Sequence, residues 1–175
     1  MNYELILGID PSGSFYEGKG TTGWCILNAT DNVISLADSL HAKDYAKPEI
    51  YWDRHLALIK EYQKRYQKRL IVVMEDYVLY STKASDQINS RMETCKLIGI
   101  IQHFCWMHDI PYEMQLAAQV KNRWTDTILE HKRYIKVKGQ KYILPFSGEP
   151  LNRHCKDAIR HAVHYANFKN KGESK

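Results

Sequence analysis

The chain reads as an α/β protein whose sheet mixes antiparallel and parallel strands. Two apolar runs, LILGID at 5–10 and RLIVVMED at 69–76, each end on carboxylates. Two more strand-like runs and one long stretch of helical spacing separate them. Strands joined by short turns pair antiparallel. A strand, helix, strand order implies parallel neighbours joined by a right-handed crossover.

In chain order, Tyr3 to Asp10 is expected as a buried strand and Thr21 to Asn28 (TTGWCILN) as a second, with Gly13, Gly18 and Gly20 in the connection. Asn32 to Ala42 alternates through Val33, Ile34 and Leu36, completing an antiparallel meander. Pro48 to Lys68 places Trp52, His55, Ile59, Tyr62 and Tyr66 on one stripe with most charge opposite, as in an amphipathic helix. Arg69 to Asp76 is the next strand. A helix follows from about Ala84 to His108, apolar nearly all round from Cys95, with Gly99 allowing close approach. Such a helix is either sandwiched in the core or also meets a second subunit. Pro111 to Leu116 reads as a short strand, Ala117 to His131 as a helix, and Arg133 to Lys141 (RYIKVKGQK) as a small basic hairpin turning at Gly139. Pro150, favourable in a first helical turn, opens a last helix through Phe168 that buries Leu151, Cys155, Ala158, Ala162 and Tyr165. With 175 residues, 44% of them hydrophobic, one domain over 1–170 with a frayed tail at 171–175 is expected.

Composition narrows the function. No apolar run approaches the roughly 20 residues of a membrane-spanning helix, and neither a basic leader nor an internal repeat is present. Cys25, Cys95, Cys105 and Cys155 stand far apart without a C-x-x-C pair, as reduced thiols of a cytoplasmic protein do. The net charge is +5, and the seven Lys or Arg between Lys121 and Lys141, set against Asp126 and Glu130, carry an excess equal to that of the whole chain. That stretch, with Lys121, Arg123, Lys136 and Lys138, is expected to touch phosphate. The run KEYQKRYQKR, Lys60 to Arg69, reads instead as a solvated helix face, because Tyr62 and Tyr66 take the spacing of a buried stripe.

Asp10 and Glu75 fall at or near strand ends, and the carboxyl ends of parallel neighbours open on one edge, where sites in open α/β sheets gather. In RHCKDAIRHAVHY, His154 and Asp157 are three apart and share a helix face that can be aimed at the same spot. Carboxylates so gathered repel unless a cation neutralises them. Hard oxygen donors favour magnesium or manganese, and two such ions about 3.5–4 Å apart activate a water and stabilise the leaving oxygen in phosphodiester hydrolysis. Each residue also has a plainer reading. An Asp before Pro starts turns, Glu75 fits a solvated or ion-paired strand end, and His154, His161 and His164 fit ordinary surface or core histidines. Thiol–histidine catalysis by Cys155 and His154 is disfavoured, since helix neighbours point about 100° apart. The order of the four groups along the chain is more specific than any one of them.

At these residues the chain resembles the RuvC family of Holliday-junction resolvases, its phage-encoded branch in particular, within the ribonuclease H-like superfamily. The likeness is carried by LGIDPSG with TTGWCIL, by IVVMEDYVLYSTKASDQINSRMETCKLIGII, by QLAAQVKNRW and by HCKDAIRHAV, in family order across most of the chain. The resemblance implies a ribonuclease H-like α/β fold, with a five-stranded mixed sheet flanked by helices. It implies a homodimer that nicks four-way and other branched DNA, with no membrane and no nucleotide cofactor. It also implies Mg2+ at two ions per site, with Mn2+ as a substitute, and a cytoplasmic location, the host's if the chain is phage-encoded. By position, Asp10, Glu75, His154 and Asp157 match the catalytic metal ligands, and Lys121 matches a lysine near the scissile phosphate. Tyr77 or Tyr80 matches an aromatic residue that stacks at the crossover, and the helix with Cys95, Ile98 and Gly99 matches the dimer contact.

Two segments depart from the bacterial pattern: the longer connection SGSFYEGKGTTGW after Pro11 and the added basic segment from Tyr134 to Glu149. Both fall near the site edge, which keeps a broader branched-DNA nuclease among the readings. The alternatives are another ribonuclease H-like nuclease acting on RNA·DNA hybrid, a non-catalytic junction-binding protein, and an actin-like or sugar-kinase ATPase, whose two domains 175 residues cannot supply.

Overall fold

In the computed structural model, residues 3–78 and 91–170 are described. Apolar and β-branched runs form β1 (Leu5–Asp10), β2 (Thr21–Asn28), β3 (Val33–His41), β4 (Leu70–Asp76) and β5 (Tyr112–Leu116). They assemble in the order β3-β2-β1-β4-β5, antiparallel across β3, β2 and β1 and parallel across β1, β4 and β5. Helices α1 (Pro48–Tyr66), α2 (Glu93–Met107), α3 (Ala117–Arg123), α4 (Asp126–His131) and α5 (Arg153–Phe168) flank it. A second, small antiparallel sheet joins β6 (Lys136–Lys138), β7 (Lys141–Ile143) and β8 (Pro150–Leu151). This is the expected α/β fold with a five-stranded mixed sheet. Among the described residues, no helix is long and apolar enough to cross a membrane.

The period-2 alternation of strands decides which helix each residue meets. Leu5, Leu7 and Ile9 of β1, with Leu70, Val72 and Met74 of β4, pack with Ile59 and Tyr62 of α1 and Leu97, Ile101 and Cys105 of α2. Ile6, Ile71 and Val73 turn the other way, onto Ala158, Ile159, Ala162 and Val163 of α5. Asp10 and Glu75 share the parity of this second set, so both carboxylates point to the face that α5 covers. Two glycines let α5 lie close. A Cβ on Gly8 would stand 2.5 Å from the Ala158 carbonyl oxygen, and one on Gly23 would stand 2.0 Å from the His154 carbonyl carbon.

Several elements differ from the sequence expectation. The expected stripe of α1 holds, with His55, Ile59 and Tyr62 buried and Trp52 and Tyr66 half-buried against the same core, but its most buried line also runs through Pro48 and Tyr51. Tyr51 is drawn in because its hydroxyl donates to the Ser12 carbonyl at 2.8 Å. The helix expected from about Ala84 begins at Glu93, after Met92 in the left-handed region; residues 79–90, with Tyr80, lie outside the described residues. The helix expected over Ala117 to His131 is two helices. Trp124 leaves the helical region to bury its ring against Tyr134, and Thr125 then caps α4 by accepting from the Ile128 N–H. The basic hairpin turns at Gly139, φ 61°, as expected, but gains β8 as a third strand. Pro150 therefore sits in an edge strand, where its missing N–H costs no ladder bond, and α5 starts only at Arg153, with Asn152 as its cap. Asn170 is buried and holds the backbone of Tyr3 from both sides, at 2.7 and 2.8 Å; residues 171–175 lie outside the described residues.

Candidate active site

The carboxyl edge of β1 and β4 gathers two linked pairs. Asp10 ends β1 opposite Gly23, and because Gly23 lacks a side chain the start of α5 lies against it. That contact sets His154 Nδ1 at 2.7 Å from Asp10 Oδ2. Glu75, near the end of β4, and Asp157, one turn into α5, share one ammonium: Lys121 Nζ of α3 stands 3.1 Å from Glu75 Oε2 and 3.1 Å from Asp157 Oδ2. Burial raises the Asp10 pKa, and the nearby Glu75 and Asp157 charges add to it, while the His154 hydrogen bond works the other way. Glu75 behaves oppositely. Burial works to raise it, but the His161 hydrogen bond and the Lys121 charge win and hold it at about 2. Lys121 is pushed up despite its partial burial by the same two carboxylates.

Three groups that the sequence reading did not assign to the site hold these side chains in place. His161 is fully buried, with Nε2 at 3.2 Å from Glu75 Oε2 and Nδ1 at 3.0 Å from the Gln115 amide. An ionised Glu75 only accepts, so Nε2–H donates to it. A neutral ring then accepts at Nδ1, and turning over the Gln115 amide would present its NH2, the buried group otherwise without a partner. Arg160 donates to Asp157 and to Asp126 through its two terminal nitrogens and to the Trp124 carbonyl through Nε at 2.8 Å. The signal for His161 was present in the spacing: residues 154, 157 and 161 fall at i, i+3 and i+7 on one helix face. For Arg160 the only signal in the sequence was its i, i+3 spacing from Asp157; its other partners sit on α4 and in the break before it.

Other expected site residues scatter. Arg123 stacks its guanidinium 3.8 Å above the Phe168 ring, at the far end of α5 from His154. Tyr77 follows β4 and is partly exposed, and Lys136 and Lys138 are exposed on β6. On α2, Ile98 is buried within its own chain, Cys95 is partly exposed and Gly99 is open, with nothing among the described residues within 4 Å of the point where a Cβ would stand. Among the described residues, no three His, Cys, Asp or Glu side chains draw together as a ready cage for a metal ion. The donor set nonetheless fits a hard divalent cation in kind: three carboxylates on one edge, two of them already sharing a positive charge. An ion taking those oxygens would replace the Lys121 ammonium as their counter-charge.

Comparison with known proteins places the fold. No protein-family model and no curated protein sequence matches the chain. Solved structures do, two of RuvC among them. Thermus thermophilus RuvC in complex with Holliday junction substrate superposes with a TM-score of 0.63 at 15% identity, covering 96% of this chain and 98% of that one. A second Thermus thermophilus RuvC structure gives 0.63 and 15%, covering 96% of each chain. At this identity the likeness concerns the fold: the chain has the ribonuclease H-like architecture of RuvC over nearly its whole length.

Proposed function

We propose that this chain is a divalent-metal-dependent, structure-selective DNA endonuclease that nicks four-way junctions and other branched DNA, acting as a homodimer. The observation that carries the reading is the convergence of Asp10, Glu75, His154 and Asp157 from β1, β4 and α5 on one sheet edge. It occurs within a RuvC-like fold, one relative of which is solved on a Holliday junction. Asp10, Glu75 and Asp157 would hold Mg2+, with Mn2+ as a substitute, at up to two ions per site. Bound there, the metal supplies Lewis acidity for phosphodiester hydrolysis. His154, oriented by Asp10, either adds a fourth ligand or orients the attacking water. With a cation on those carboxylates, Lys121 would be free to meet the phosphate, which brings its own negative charge. His161 and Arg160 hold Glu75 and Asp157 in orientation.

A second reading has one observation in its favour. Lys121 already satisfies two of the carboxylates, as in a junction-binding protein without metal chemistry. One assay separates the readings: a strand-labelled four-way junction beside matched duplex and RNA·DNA hybrid, in magnesium and in chelator. Paired nicks in the junction with magnesium alone are expected. Glu75→Gln and Asp157→Asn should each lower cutting by at least about 100-fold while junction binding in chelator persists, because they remove ligands and leave the phosphate contacts. Binding without cutting by the unaltered protein would favour the non-catalytic reading, and cutting of the hybrid alone would favour a ribonuclease H.

A further inference from the structure

The β6–β7–β8 sheet carries an ionic pattern that the carboxylate site does not use. Its strands alternate. Val137 and Tyr142 are paired in register, and Tyr142 packs on the core around α5. Lys136, Lys138 and Lys141 are exposed, and the register sets Lys138 directly opposite Lys141. Like charges facing each other across a strand pair destabilise it. None of the three pairs with a carboxylate among the described residues, whereas Lys121, Lys156 and Arg160 all do. A hairpin of two three-residue strands that pairs two exposed lysines in register, with no ion pair to either among the described residues, is stabilised when an external polyanion provides the counter-charge.

This sheet is also bolted to the site. The Tyr142 hydroxyl donates to Asp126 Oδ2 at 2.7 Å, and Lys156 Nζ donates to the same oxygen at 2.8 Å from above the Tyr142 ring. From Asp126, Arg160 reaches across to Asp157. On the chain itself, β8 ends at Leu151, opposite Tyr142, and Asn152 at once caps the helix that carries His154. Lys138 and Lys141 therefore occupy the end of the small sheet nearest the start of α5.

We propose that the Lys136, Lys138 and Lys141 face grips the sugar-phosphate backbone of the DNA arm beside the cut, braced to Asp157 through Tyr142, Asp126 and Arg160. The identity of the polyanion as DNA rests on the nuclease reading above. The test compares the unaltered protein with Lys138→Gln/Lys141→Gln in equilibrium binding to a four-way junction, in chelator, over a range of salt. The double variant should bind more than about tenfold more weakly at 0.1 M salt, and its slope of log affinity against log salt should flatten by about 0.9 per lost phosphate contact. Lys138→Arg/Lys141→Arg should restore both. Because the two lysines repel, the glutamine pair should leave the melting temperature in place or raise it. If the unaltered protein binds and cuts junctions while the glutamine pair keeps its affinity and slope, the grip is overturned and the nuclease reading stands. If the unaltered protein binds no DNA at any salt, both fall.

Discussion

His55 is 1% exposed and is not part of the carboxylate edge, yet it fixes the loop that leaves it. Its Nδ1–H donates to the Tyr51 carbonyl at 2.7 Å, which leaves Nε2 to accept from the Thr22 hydroxyl at 2.9 Å. Thr22 Oγ1 in turn accepts from the Ser12 N–H, two residues after Asp10. Burial, opposed only by that carbonyl, lowers the His55 pKa to about 4, against an ordinary 6.5. Between those values the unfolded chain takes up a proton that the folded one refuses. Stability is therefore complete above about pH 6.5 and is lost as the pH falls toward 4, by on the order of 3 kcal/mol. His55→Gln removes this titration. Urea unfolding at stepped pH should show the unaltered protein ahead at pH 7 and the gap closing by pH 4. A gap that stays constant across the window would mean that His55 carries no such shift.

At the scale of elements, the site depends on how closely α5 can approach β1 and β2. Gly23→Ala puts a methyl where the His154–Cys155 peptide stands, within 2.0–2.3 Å, so the start of α5 must move. Overpacking of this kind costs about 1–3 kcal/mol, and here the shift also draws His154 from Asp10. The expected result is a lowered thermal midpoint and a cutting rate that falls at temperatures where the variant is still folded. A folded variant that cuts at the unaltered rate would show that the His154–Asp10 contact is dispensable. The same packing explains what was legible in the sequence. Strand and helix identity follow from local periodicity, and Asp10 and Glu75 could be seen as strand-end carboxylates without a structure. The break at Trp124 could not, because a buried ring ended a helix whose spacing ran on to His131. Nor could the start of α5, since Pro150 found a partner strand at Ile143 that no local signal announced. The spacing put His161 on the site face and Arg160 three residues from Asp157, but their remaining partners, Asp126, Gln115 and Glu75, come from distant parts of the chain and could not be read locally.

For the whole molecule, the question is what covers α2. Its inner stripe, Leu97, Ile101 and Cys105, belongs to the core, but Trp106 is 71% and Met107 60% exposed. An apolar groove runs from there along Gly99, Ile100 and Phe104 to Trp52 and Leu56 of α1. Such a surface is costly to leave wet, and patches of this kind mark interaction sites. The start of α2 also touches the site loop, since the Gly13 N–H donates to Thr94 Oγ1 at 3.1 Å. In the proposed homodimer a two-fold axis across this face would set two such loops, and two carboxylate edges, toward the opposed strands of one junction. Gly99→Arg tests this with little risk to the monomer. The position is exposed, and a Cβ there would meet nothing within 4 Å among the described residues. Arginine in place of glycine within a helix is otherwise favourable by about 0.5–1 kcal/mol. Light scattering should show the unaltered protein at twice the chain mass and the variant at the mass of one chain. The variant's nicks should then appear on one strand at a time instead of in pairs. A variant that keeps the double mass would place the dimer contact elsewhere, and an unaltered protein of single mass would leave the pairing of nicks without a symmetric cause.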